Sequence, residues 1–258
     1  MLQTDNLIFQ CRDEFGRLNV YEDAGRRYLS FGNEVEQSCI DMHRPAHLCF
    51  QYTQMMLLGC LFASNAPQIT LLGLGAGSLV QALLACLPDC RLIAVELRQQ
   101  VVELAREYFG LPRDKRLKVR VSDAHNYLNR DPKAAELIFV DLYLEHGMDG
   151  IQARQDFLTA CRLALKPGGL LVANYWLGDR LTSMAMNQTL EAVFEHPPLR
   201  MSTSEGNSIA FVFDGGLPRV DSKHFVRRAV ELGRILDIPL HRYARIFMQQ
   251  YRQLFATV

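Results

Sequence analysis

Short apolar runs alternate with longer amphipathic stretches through most of the chain. Ile69–Leu72, Leu92–Val95, Leu117–Val121, Leu137–Val140 and Leu170–Ala173 read as strands, each bounded by glycine, proline or charged residues. Leu79–Leu87, Arg98–Tyr108 and Gln155–Leu165 read as helices between them, with Val101, Val102, Ala105 and Tyr108 forming one apolar side of the second. Strands alternating with helices predict an α/β fold, a Rossmann-like and mostly parallel sheet covered on both faces.

The ends of the chain follow other patterns. Leu7–Gln10, Arg17–Tyr21 and Arg27–Phe31 predict short strands separated by Asp13, Gly16, Asp23 and Gly25. A small β-strand domain over 1–43 is therefore expected, followed by the α/β domain over 44–258. Pro45 suits the first turn of a helix, and Cys49–Phe62 predicts a mostly buried helix. The Met55–Leu58 stripe within it reads as core. Ile209–Phe213 predicts a late strand, and Ser222–Phe255 two helices broken at Pro239.

Charge narrows the function. The 258 residues carry 28 Lys plus Arg against 28 Asp plus Glu. A neutral chain is not built to hold nucleic acid by phosphate neutralisation. The basic residues Arg227, Arg228, Arg234, His241, Arg242 and Arg245 read as a solvated helix face. No targeting segment is expected in the first 15 residues, where Asp5, Asp13 and Glu14 interrupt the apolar positions. The longest apolar run, Met55–Ala63, is far shorter than the ~20 residues that span a bilayer. Seven cysteines without a Cys-x-x-Cys pair predict reduced thiols and a cytoplasmic protein. His43 and His47 are four apart, but Pro45 interrupts them and no Glu follows, so no metal is expected.

Ligands of such sheets bind at the carboxyl ends of the strands. Four groups stand there. Gly73-Leu74-Gly75-Ala76-Gly77 follows the first strand of the sheet and opens a helix, where glycines allow close approach and the helix N-terminus offers free N–H groups. Glu96 ends the next strand and can accept from both ribose hydroxyls, with Leu97 beside it. Asp123-Ala124 ends the third strand, and Asp123 can accept from an adenine amine or cap the following helix. Asp141 ends the fourth strand and points toward the reacting end of a bound nucleoside. Dinucleotide enzymes want Gly or Ala at position 78, which here is Ser78. The three glycines and the strand-end acids fit an S-adenosyl compound better.

These residues resemble the spermidine synthase (polyamine aminopropyltransferase) family within the class I S-adenosylmethionine-dependent fold. Gln37, then Phe50-Gln51-Tyr52-Thr53-Gln54-Met55, is similar to the family's cleft-lining motif, and Leu165-Lys166-Pro167-Gly168-Gly169 to its Leu-x-Pro-Gly-Gly turn. The resemblance implies a seven-stranded sheet behind a β-strand domain, a homodimer, and no partner beyond a small-molecule amine acceptor. It assigns the cofactor side to Gln37, Gly73, Gly75, Ala76, Gly77, Glu96, Leu97, Asp123 and Ala124. Asp141 becomes the catalytic acid of the family's loop, with Tyr52 and Tyr143 shaping the acceptor pocket.

Three departures stand out against that pattern. Ala76 replaces an Asp of the glycine loop, Leu144 replaces the second Asp of the catalytic loop, and Ser204-Glu205 stands where the family has Tyr-Pro. Glu145 lies one position from the second Asp. A diamine pocket needs carboxylates, so an acceptor other than putrescine is expected. The expected function is alkylation of an amine by decarboxylated S-adenosylmethionine or S-adenosylmethionine. Methyl transfer, or a nucleoside-binding relative without catalysis, are the alternatives.

Overall fold

The computed structural model describes residues 6–32, 36–65, 67–130, 134–145, 147–176 and 180–256. Four antiparallel strands open the chain: β1 (Leu7–Asp13), β2 (Gly16–Asp23), β3 (Arg26–Ser30) and β4 (Glu36–Asp41). Three of them match the expected runs. The fourth, Glu-Gln-Ser-Cys-Ile-Asp, has no apolar alternation and was not legible as a strand. Its backbone is recruited by pairing with β3.

No helix begins at Pro45. The Asp41 carboxylate captures the N–H groups of His43 and Arg44 and bends the chain into turns. The helix expected over Cys49–Phe62 is α1 (Gln51–Met56) followed by a 3₁₀ turn, Leu57–Leu61. That segment lies tightly on the sheet, since a Cβ at Gly59 would stand 2.7 Å from Val172 Cγ2. Met55 to Leu58 are all buried, as core packing requires.

The main domain continues as β5 (Gln68–Leu72), α2 (Ser78–Cys86), β6 (Arg91–Glu96), α3 (Gln99–Glu107), β7 (Leu117–Val121), α4 (Ala124–Arg130) and β8 (Ala135–Val140). A two-stranded hairpin, β9 (Tyr143–Leu144) and β10 (Gly147–Met148), precedes α5 (Gln155–Ala164), β11 (Leu165–Trp176) and α6 (Arg180–Phe194). Then come β12 (Leu199–Ser202), β13 (Asn207–Phe213), α7 (Ser222–Leu236) and α8 (Leu240–Gln250). Asp221 caps α7 by accepting from the N–H groups of Lys223 and His224.

The seven strands lie in the order β12-β13-β11-β8-β5-β6-β7. β11, β8, β5, β6 and β7 run parallel, while β13 is antiparallel to both its neighbours. One apolar cluster packs α1, α2, α7 and α8 on one face, and another packs α4, α5 and α6 on the other. A third joins Leu18, Val20, Leu29 and Ile40 of the N-terminal sheet to Val101, Leu104 and Phe109 beside it. Chain order reverses between β7 and β8, so the crevice opens at the carboxyl ends of β5 and β8.

The two sheets are also joined by a buried ion pair. Arg98 is 2% exposed; its guanidinium donates to Asp13 at 2.7 and 2.9 Å and to the Gly16 carbonyl at 3.1 Å, under the Phe31 ring. Among the described residues no helix is long and apolar enough to cross a membrane, and no group of three His, Cys, Asp or Glu could hold a metal ion. His47 instead contacts the Leu236 carbonyl.

Candidate active site

A cavity of about 810 Å³ opens at this crevice. The glycine loop forms its floor. Gly73 has a φ of 95° and a Cβ there would collide with the Asp141 carbonyl, two separate demands for glycine; its N–H donates to the Val95 carbonyl at 2.9 Å. Gly75, with a φ of 54°, lies against Ser38 of β4. The N-terminal sheet therefore closes one side of the loop. Ser78 and Leu79, in the first turn of α2, line the same wall.

Glu96 ends β6 within the cavity wall. One carboxylate oxygen accepts from the Leu74 N–H and the other from the Arg98 N–H, both at 3.0 Å. Burial raises its pKa, and these backbone donors oppose the rise. They also fix the carboxylate beside the loop, where its remaining lone pairs can accept from a diol.

Asp141 sits at the end of β8, and its N–H donates to the Leu72 carbonyl at 2.9 Å. Asn174 donates to one carboxylate oxygen at 2.8 Å, and the Tyr52 hydroxyl donates to the other at 3.3 Å. Asn207 supports Asn174 in turn, donating to its amide oxygen at 3.0 Å. Burial pushes Asp141 up to about 6, against the pull of Asn174 and Tyr52. Burial and the Asp141 charge hold the Tyr52 and Tyr143 hydroxyls well above the ordinary phenol range. The Tyr143 hydroxyl is buried beside Asn207.

Gln37, Tyr52, Gly73, Gly75, Glu96, Leu97, Asp141 and Tyr143 all line this cavity. Four other expected residues do not. Ala76 is fully buried and turns its methyl into the cluster beneath the N-terminal sheet. Gly77 meets Leu111 and caps α2 with a left-handed φ of 87°. Asp123 accepts from the Asn126 N–H at 2.8 Å and so caps α4, which begins at Ala124. Glu145 is also elsewhere: its carboxylate lies against Gly16 and Gly32 of the N-terminal sheet, so it does not stand in for the acid absent at Leu144.

The cavity holds groups that the sequence pattern did not mark. Asn174 lies inside β11, one residue past the apolar run Leu170–Ala173 and level with Asp141, but an amide carries no charge to signal it. Glu36, Asp149 and Glu205 add three carboxylates to the wall, and Trp176 adds an indole at the mouth. Glu205 sits on a built turn. Thr203 accepts the Asn207 N–H through Oγ1 at 3.0 Å, Ser204 donates to Gln51 at 3.1 Å, and a Cβ at Gly206 would touch the Trp176 ring at 3.0 Å.

Residues 69–169 match the family model described as "Methyltransferase domain". A polyamine aminopropyltransferase of Neisseria meningitidis is 29% identical over 240 residues, covering 90% of this chain and 89% of that protein. A probable spermidine synthase of Corynebacterium glutamicum superposes with a TM-score of 0.73 at 24% identity, covering 86% of each chain. The chain has the class I methyltransferase fold and is similar to polyamine aminopropyltransferases over nearly its whole length. Human methyltransferase-like protein 13, solved in complex with SAH, shares the fold at a TM-score of 0.65 and 22% identity, covering 74% of this chain and 94% of that one. The fold shared with these structures accounts for the strand order and for the cavity at the ends of β5 and β8.

Proposed function

We propose that this spermidine synthase-like protein transfers an aminopropyl group from decarboxylated S-adenosylmethionine to an amine acceptor other than putrescine. An adenosyl-based co-substrate is the ligand class, and the residues present fit it. Glu96 is fixed beside the loop as a diol acceptor, and the Gly73 and Gly75 cradle has no side chains to block it. Bound there, the co-substrate supplies an alkyl group on a sulfonium centre, which needs positioning rather than further activation.

The observation that carries the reading is Asp141, held between Tyr52 and Asn174 at the base of the cavity with its pKa near 6. At neutral pH it is largely ionised, yet basic enough to accept a proton from an ammonium acceptor as the amine becomes the nucleophile. Tyr52 and Asn174 orient the carboxylate, and the Tyr143 ring and hydroxyl bound the acceptor side.

Charge favours the decarboxylated co-substrate. Among the described lining residues Arg98 is the one cation, and its guanidinium is committed to Asp13 and Gly16. A methionine carboxylate would face Glu36, Glu96, Asp141, Asp149 and Glu205 with no free cationic partner in the wall. Those acids suit a cationic acceptor instead, and Glu205 and Asp149 supply charge that positions 76 and 144 lack. Methyl transfer from S-adenosylmethionine is the second reading, favoured by Ala76, which leaves no acid in the loop for an aminopropyl ammonium.

Calorimetric titration with each co-substrate tests this. Binding of the decarboxylated form at least tenfold tighter is expected. Preference for S-adenosylmethionine would overturn aminopropyl transfer, and binding of neither would overturn the nucleoside site. The reading includes a cytoplasmic location, supported by seven free thiols. It also includes a homodimer, supported by the exposed Leu7, Ile8 and Phe15 on the N-terminal hairpin; a monomer mass by light scattering would refute that.

A further inference from the structure

Cys39 and Cys49 come together where the N-terminal sheet meets the lead-in to α1. Ile40 of β4 bridges Leu48 in antiparallel register, and both are fully buried. One step along that register sets Cys39 opposite Cys49. Residues opposed in this way share a face, with Cα atoms about 4.5–5.5 Å apart. Disulfides need Cα atoms about 4.4–6.8 Å apart. The two thiols are free and neighbour each other beside the Ile40–Leu48 bridge.

Their surroundings make them unequal. Cys39 is 2% exposed, whereas Cys49 is only half-buried. The neighbouring Cys39 thiol, with Arg26 nearby on β3 and the Asp41 N–H, favours the Cys49 thiolate; Asp41's own charge and burial oppose it. The proximity of Cys49, with burial, keeps Cys39 protonated, against the weaker pull of Arg26 and Tyr28. Cys60, Cys86 and Cys161 are buried and pushed up by desolvation, so they have no comparable thiolate.

We propose that Cys39 and Cys49 form a dithiol–disulfide site, with Cys49 as the attacking thiol and Cys39 as the resolving one. With a hydroperoxide, the Cys49 thiolate attacks one peroxide oxygen and becomes a sulfenic acid as the O–O bond breaks. Cys39 then loses its proton and displaces the sulfenic oxygen, which leaves as water. Two thiols and one hydrogen peroxide thus give one disulfide and two waters. With a small-molecule disulfide such as oxidised glutathione, the same two thiols give the internal disulfide and two glutathione thiols.

The site's location gives the bond a consequence for the cleft. Ser38, next to Cys39, lies on Gly75 of the glycine loop, and Phe50, next to Cys49, stacks on Tyr52 at 5.9 Å. All four residues line the cavity. The disulfide would staple together the two walls that flank it.

The test treats the purified full-length chain with one equivalent of hydrogen peroxide or with dithiothreitol, alkylates under native conditions, and maps peptides by mass spectrometry. The expected result is a Cys39–Cys49 linked peptide pair in the peroxide sample only. Cys39→Ser should stop at a Cys49 sulfenic acid trapped by dimedone, and Cys49→Ser should leave Cys39 unmodified. Oxidation of Cys49 without a link in the wild type, or a link to any other cysteine, would overturn the proposal. A Cys39 that reacts as fast in Cys49→Ser as Cys49 does in the wild type would overturn the assignment of roles.

Discussion

The Asn174 amide donates to Asp141 at 2.8 Å across two parallel strands that are neighbours in the sheet, β11 and β8. Asn174 is 1% exposed, and its own oxygen is satisfied by Asn207. The carboxylate is therefore aimed by a neutral relay rather than by a counter-ion. A lysine or arginine in its place would lower the Asp141 pKa and weaken it as a base.

Asp141→Asn keeps the shape and removes the base. Turnover of the amine acceptor should fall by about 10²–10⁴-fold, the usual worth of a positioned general base. Co-substrate affinity by calorimetry should change less than about threefold. Unchanged turnover would remove Asp141 from catalysis.

The acidic limb of the rate should follow Asp141. Its pKa is raised to about 6 in the fold, so the working carboxylate accumulates as pH rises through 6 and is lost below it. kcat/KM should climb about tenfold per pH unit below that point. Asn174→Ala removes a donor that favours the charged form, so the limb should move to higher pH. A limb that stays in place would refute the relay.

Glu96→Gln should weaken adenosyl binding about 10- to 100-fold, the range for hydrogen bonds to a charged acceptor. The acceptor KM should not change. Gly73→Ala should do more damage, because the new Cβ strikes the Asp141 carbonyl and Gly73 has a φ of 95°. A loss of more than about 1 kcal/mol in chemical denaturation is expected.

Glu205→Gln tests the acceptor side. KM for a polyamine acceptor should rise several-fold with kcat and adenosyl affinity little changed, since Glu205 lies at the mouth on a turn held by Gln51 and Asn207. A fall in kcat with no change in KM would place Glu205 in the chemistry instead.

Asp13→Asn strands Arg98, which is 2% exposed. Removing one partner of a buried pair typically costs about 3–5 kcal/mol. A loss of about 3 kcal/mol in urea unfolding is expected, with part of it appearing as weaker adenosyl binding because Arg98 also positions Glu96 through its N–H. A change below about 1 kcal/mol would show that the pair does not hold the N-terminal sheet to the main domain.

The local chemistry of the sequence by itself determined the strand–helix alternation, the glycine turn after β5 and the acids at Glu96 and Asp141. These depend on periodicity, on backbone freedom and on charge at a strand end, which are properties of neighbours along the chain. The tertiary structure alone decided the rest. β4 is a strand because β3 pairs with it, and the turn at Pro45 exists because Asp41 captures two N–H groups. Ala76 and Asp123 occupy suitable places in the sequence, but the fold turns one into an apolar cluster and uses the other as a cap. Glu36, Asp149, Asn174, Trp176 and Glu205 reach one cavity from separate parts of the chain. Which side chains meet there depends on sheet order and on the packing of the N-terminal sheet over the glycine loop, and neither is encoded by the spacing of residues along the chain.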